Sequence, residues 1–151
     1  MTVERLTLPT QVLDLWPFFS EGFLQLETAS REVYDSVQMQ KLMCSLAADS
    51  KRGYVAVVFS DDATPICFGV AHDSTPLFSQ TRTFEVRAVY HDARQPAATL
   101  SLAGHFENWC RENGVKRYSV STRRNTGATI RCFRHARYGF SRPYLVFEKD
   151  L

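Results

Sequence analysis

The sequence predicts an α/β (α+β) fold with the element order β-α-α-β-β-β-α-β-α-β. Three observations predict it. Segments of period two alternate with segments whose apolar residues recur every three or four positions. Two strongly apolar runs, 53–59 and 65–72, flank the turn signal Asp61-Asp62 and read as an antiparallel hairpin. The stretch from Phe84 to Gly114 reads as a strand, a small-residue turn, and a helix opening straight off that turn. No linker, low-complexity segment or internal repeat divides the chain, so a single domain over 1–151 is expected.

The elements follow in order. Thr2 to Leu8 reads as a strand ending at Pro9, with Leu6 and Leu8 alternating around Thr7 and Val3 out of phase. Gln11 to Glu27 is rich in Leu, Trp and Phe, but Pro17 and Gly22 interrupt it, so a broken helix is expected. Its aromatic run, Trp16 to Phe23, reads as core under the sheet, with an acyl-acceptor cleft as the alternative. A polar loop, 28–35, precedes a helix from Ser36 to about Ala48, with Val37, Leu42, Met43 and Leu46 inward. After the hairpin, a loop containing Pro76 leads to the strand at Phe84, where Val86 and Val89 add β-branched weight. The next helix carries Leu100, Leu102, Ala103, Phe106, Trp109 and Cys110 on one face, and Asn113-Gly114 supplies the stop. Residues 115–122 read as a fifth strand, 125–136 as a short helix with Ala128, Ile130 and Phe133 inward, and 144–149 as the last strand.

Composition excludes several classes. At 151 residues the chain can bury a sizeable core, and 44% hydrophobic with 23% charged residues is ordinary for a globular protein. No apolar run approaches the roughly 20 residues of a membrane span. The opening MTVERLTL has neither the basic region nor the apolar core of a signal peptide, which points to a cytoplasmic setting. Cys44, Cys67, Cys110 and Cys132 are scattered, without C-x-x-C pairing or clustered histidines; reduced thiols and no metal are expected. The net charge of +2 does not by itself indicate nucleic acid.

Function is expected at ARQPAAT, between strand and helix. A helix N-terminus exposes unpaired amides and the positive end of the macrodipole, so it suits phosphate. The same unit could also be a turn that only builds core. Arg94-Gln95-Pro96-Ala97-Ala98-Thr99 resembles the pyrophosphate loop of the GNAT family of N-acetyltransferases, Q/R-x-x-G-x-G/A. It is a degenerate version: the family's two loop glycines are Ala97 and Thr99 here, and Pro96 removes one amide donor. The element order is the GNAT order, and Asn125, Ala128 and Gly139-Phe140 resemble the family's later motif, the last pair about two residues late. The family's helix tyrosine is replaced by Cys132, with Phe133 beside it.

The resemblance implies a mixed, mostly antiparallel twisted sheet flanked by helices, and acetyl-CoA as co-substrate with no metal. It implies direct transfer of the acetyl group to an amine acceptor, small molecule or protein, in a cleft between the fourth and fifth strands. Backbone amides near Val89 and Tyr90 would hold the pantetheine and polarise the thioester carbonyl. Arg94, Gln95, Ala97, Ala98, Thr99 and Asn125 would complete the cofactor contacts. Glu85 is the candidate base, with an ordinary ion pair to Arg87 as its alternative; His91 and His72 are second choices. Cys132 would protonate the departing thiolate, although it could equally be a buried apolar cysteine, with water serving instead.

Nine Arg and Lys residues lie between Arg111 and Arg142, with Glu112 as the sole acid. Arginine's bidentate fork suits the phosphates of CoA. Nucleic acid, an acidic protein or simple solvation are alternatives for this basic stretch. The glycine-poor loop also resembles, loosely, the GNAT-like internal virion proteins of T7-like phages. That likeness implies a second class: a catalytically inactive, virion-associated binding or structural phage protein.

Overall fold

The computed structural model describes residues 1–30, 33–91 and 95–120. Among the described residues, five strands form one sheet in the order β1-β2-β3-β4-β5. They are β1 (Thr2–Arg5), β2 (Gly53–Phe59), β3 (Pro65–Asp73), β4 (Thr83–His91) and β5 (Arg117–Val120). The first three pairings are antiparallel and β4–β5 is parallel, so the sheet is mixed and mostly antiparallel as expected. Helices α1 (Pro9–Asp14), α2 (Trp16–Ser30) and α3 (Ser36–Ala48) follow β1, and α4 (Pro96–Glu112) joins β4 to β5.

Apolar side chains leave both faces of the sheet, and each face has its own cover. Tyr54, Ala56 and Val58 of β2 pack with Leu102, Phe106 and Trp109 of α4. Val55 and Val57 point the other way, into a core with Val12, Phe19, Phe23 and Met43. This is why 53–58 is apolar at every position rather than alternating: a strand covered on both sides has no solvent face. The aromatic run of α2 is core, as expected. Phe19 and Phe23 meet Phe68 of β3 with ring centroids 5.0 and 5.3 Å apart, and full burial of each phenyl is worth about 1.5–3 kcal/mol.

Local chemistry fixes the helix ends. Asp35 caps α3 by accepting from the amides of Val37 and Gln38, both at 3.0 Å. Gln11 Oε1 accepts from the amides of Thr7 and Leu8 at the start of α1. Gly114 takes φ +71° after α4, the left-handed conformation that glycine adopts without a Cβ penalty.

Several expectations are corrected. The first strand stops at Arg5. The broken helix breaks at Leu15, between α1 and α2, and Gly22 lies inside α2. A β-carbon at Gly22 would sit 2.4 Å from Phe68 and 2.9 Å from Tyr90, so the glycine permits the helix to approach the sheet rather than breaking it. The loop expected from residue 28 begins later, since α2 continues to Ser30. Val37 and Leu42 are exposed, and Ala47 joins Met43 and Leu46 inside. The helix expected from Leu100 opens at Pro96, the position where proline's fixed φ and missing N–H cost least. The expected helix at 125–136 and strand at 144–149 lie outside the described residues, as does much of the span on which a single domain over 1–151 depends.

Candidate active site

The β3–β4 register contains the feature on which the site turns. Val70 pairs with Ala88 and Ala71 pairs with Val86, so Arg87 is an extra residue in β4. A bulge of this kind bends its strand and re-aims the side chains that follow. Before it, Phe84 and Val86 enter the α4-side core. After it, Ala88 and Tyr90 pack on the α1–α3 side, and Val89 packs against the α4-side core. Parallel pairing with β5 runs from Thr83↔Arg117 to Val86↔Val120, where the described part of β5 ends. From Arg87 to His91, β4 keeps β3 along one edge and has no partner on the other among the described residues. An antiparallel neighbour takes the N–H and C=O groups of alternate residues only.

The same connection leads to the start of α4. Gln95, its N-cap, makes no side-chain hydrogen bond to the helix, and the first turn contains no acidic residue. Pro96 brings no N–H, and the Ala98 amide is turned back to the Gln95 carbonyl at 3.0 Å. Ala97 is exposed, whereas the Ala98 methyl is fully buried in the α4-side core. The Thr99 hydroxyl is also buried, with no standard hydrogen-bond partner. Its polar neighbour is the Cys67 thiol, which burial pushes up to about 12 and the Thr99 hydroxyl partly draws back. The side chains of Ala98 and Thr99 therefore serve packing, and an anion here would meet main-chain groups near Ala97. An uncapped helix N-terminus without a carboxylate fits a phosphate group.

Glu85 lies one residue before the last β4–β5 pair. Its Oε1 accepts from Arg87 Nη1 at 3.2 Å, the expected ion pair. Its Oε2 is 3.8 Å from Nε2 of His72, which stands directly across the strand pair on β3. Tyr90, expected for its backbone, also brings a phenol that accepts from Gln25 Nε2 at 3.2 Å. Its ring is held edge-on by Phe18, with centroids 5.8 Å apart. Sequence reasoning missed Gln25 and the bulge. The spacing of Val86 and Val89 was the available signal: two residues three apart in a regular strand cannot share a face, yet both pack toward α4.

Arg94, Asn125 and Cys132 lie outside the described residues, as do Arg123 to Arg142 of the basic stretch. Of that stretch, Arg111 binds Asn108 and Glu107 on its own helix, while Lys116 and Arg117 are exposed. Cys44, Cys67 and Cys110 are free thiols. Among the described residues, no helix is long and apolar enough to cross a membrane, and no three His, Cys, Asp or Glu side chains group as metal ligands.

No family model and no curated protein sequence matches the chain. Solved structures do. A probable acetyltransferase superposes with a TM-score of 0.70 at 18% identity, over 99% of this chain and 100% of that one. An aminoglycoside acetyltransferase from an uncultured soil metagenomic sample, solved in complex with sisomicin, gives 0.71 at 15% identity, covering 99% and 95%. A possible acetyltransferase from Clostridium difficile 630 gives 0.71 at 12% identity, covering 99% and 97%. Identities this low speak to architecture alone. The chain has the fold of the GNAT-type acetyltransferases.

Proposed function

We propose that the protein is an acetyl-CoA-dependent N-acetyltransferase that passes an acetyl group directly to an amine. The observation that carries this reading is the β4 edge that has no partner among the described residues after the Arg87 bulge, followed in the chain by an uncapped helix N-terminus. One element offers amides to a carbonyl and a pantetheine chain, and the other offers them to a diphosphate. Bound acetyl-CoA supplies a thioester carbonyl as electrophile.

Main-chain amides of Arg87 to His91, Val89 and Tyr90 among them, hold that carbonyl and stabilise the negative charge it gains. The main chain near Ala97 is what the first turn offers the phosphate end, since the Ala98 amide is already bonded to the Gln95 carbonyl; in this reading Arg94 and Asn125 would complete the contacts. Basic side chains of the 111–142 stretch would suit the charge of the diphosphate. The amine must lose a proton before it attacks, and the carboxylate–imidazole pair Glu85–His72, two residues before the Arg87 bulge, is the acid–base cluster beside this segment. Cys132 or water returns a proton to the thiolate. No covalent enzyme intermediate is needed.

Thermal melting with acetyl-CoA tests the reading. A ligand at 100 times its Kd adds about 2.7 kcal/mol, which for this size raises Tm by roughly 5–10 °C. Ala97→Glu puts a carboxylate on the positive end of α4, where it favours the helix by about 0.3–1 kcal/mol but repels the diphosphate. The variant is expected to melt no lower than wild type and to show no acetyl-CoA shift. Absence of a shift in wild type at millimolar acetyl-CoA would overturn the reading in favour of a non-catalytic GNAT-shaped protein, virion-associated or otherwise.

A further inference from the structure

We propose that His72, rather than Glu85, takes the proton from the acceptor amine, and that Glu85 holds the imidazolium so formed. This rests on the transferase reading above and names the base of that same site. His72 Nδ1 lies 2.9 Å from the Asp73 carbonyl oxygen. A carbonyl can only accept, so Nδ1 carries the ring proton, and in the neutral ring Nε2 keeps the lone pair. That nitrogen faces Glu85 Oε2 at 3.8 Å, too far for a hydrogen bond but close enough to steady a positive ring.

Glu85 is engaged elsewhere. Its Oε1 holds the guanidinium of Arg87, the bulge residue, at 3.2 Å. A carboxylate already paired with a permanent cation is placed to act as a counter-ion. Among the described residues, the other groups beside His72 are turned away from this pair. Asp73, next in β3, is paired with Arg82 at 3.7 Å. Gly53, opposite His72 on β2, brings no side chain. The His72 and Glu85 side chains are 30% and 23% exposed, so the pair is open to a substrate while partly shielded from water.

The proton and electron movements balance. The ammonium N–H bond breaks and its proton goes to Nε2. The freed nitrogen pair forms the N–C bond, and the C–S pair leaves with sulfur. The second N–H proton reaches the thiolate through water, and His72 returns its own proton to solvent.

The test is the pH profile of kcat/KM for thiol release from acetyl-CoA, with benzylamine and putrescine as probe amines. Wild type should show an acid limb, along which activity falls as the base becomes protonated. His72→Gln should lose that acid limb and about 100-fold in rate, the lower end of what a general base contributes. Imidazole added to His72→Ala should restore turnover. Glu85→Gln should keep turnover within about tenfold while the limb moves to lower pH, because the imidazolium has lost its counter-ion. The same downward move should appear in the His72 Cε1–H resonance by NMR, a readout that needs no turnover. An unchanged limb in His72→Gln, or one abolished by Glu85→Gln, would overturn the assignment alone. A wild type with neither turnover nor an acetyl-CoA melting shift would overturn the transferase reading and this assignment with it.

Discussion

Arg82 and Asp73 tie together three ends of the fold. Arg82 Nη1 donates to the Asn113 carbonyl at the end of α4, and Nη2 donates to the Lys51 carbonyl before β2, both at 2.5 Å. Its Nε faces Asp73 Oδ2 at 3.7 Å, and its guanidinium lies over the Phe84 ring. Burial would raise the Asp73 carboxyl, but hydrogen bonds from Thr75 and the charge of Arg82 outweigh it and hold the group below the usual carboxylate range. A carboxylate lowered in the folded state stabilises above its unfolded pKa, about 3.9, and loses that contribution as pH falls through the folded value. The acid limb of stability against pH should therefore be shallower in Asp73→Asn than in wild type below about pH 4. Urea titrations at a series of pH values measure it, and parallel limbs would count against the pairing. None of this was legible in the sequence: Arg82 and Asn113 are far apart in the chain, and nothing local marks them as partners.

At the scale of elements, α3, β2 and the close of α4 could be read directly from period and caps. Asp35 before Ser36, the unbroken apolar run of β2 and Asn113-Gly114 are local signals, and local signals survive folding. Gly22 was legible as a glycine but not in its role. Propensity treats a mid-helix glycine as a break, whereas the packed structure uses its missing side chain to seat α2 against Phe68 and Tyr90. Two effects compete in Gly22→Ala. Helix propensity gains about 1 kcal/mol, while forcing a methyl against the fully buried Phe68 ring costs about 1–3 kcal/mol. With the β-carbon only 2.4 Å from that ring, the cost wins. Urea unfolding should show a net loss; a net gain would mean that α2 sits farther from the sheet. The bulge at Arg87 was likewise hidden, because register is settled between strands and not within one.

For the whole molecule, the sheet divides stability from chemistry. Its middle strands are covered on both sides and supply the burial, while among the described residues the β4–β5 pairing ends at Val86, the residue before the bulge. The sequence resemblance points to the connection at residues 93–99, because strand, proline and helix are consecutive there. Around it the small side chains of Ala98 and Thr99 are turned inward, and Ala97 is exposed. The central claim is that the freed amides of β4 and the first turn of α4 bind one molecule of acetyl-CoA together. Titrating acetyl-CoA into isotopically labelled protein and following backbone amide resonances tests this most directly. Shifts concentrated at residues 87–91 and 97–99, saturating together with one Kd, are the predicted result; no shift at either segment at millimolar acetyl-CoA, or shifts confined to other parts of the chain, would contradict it.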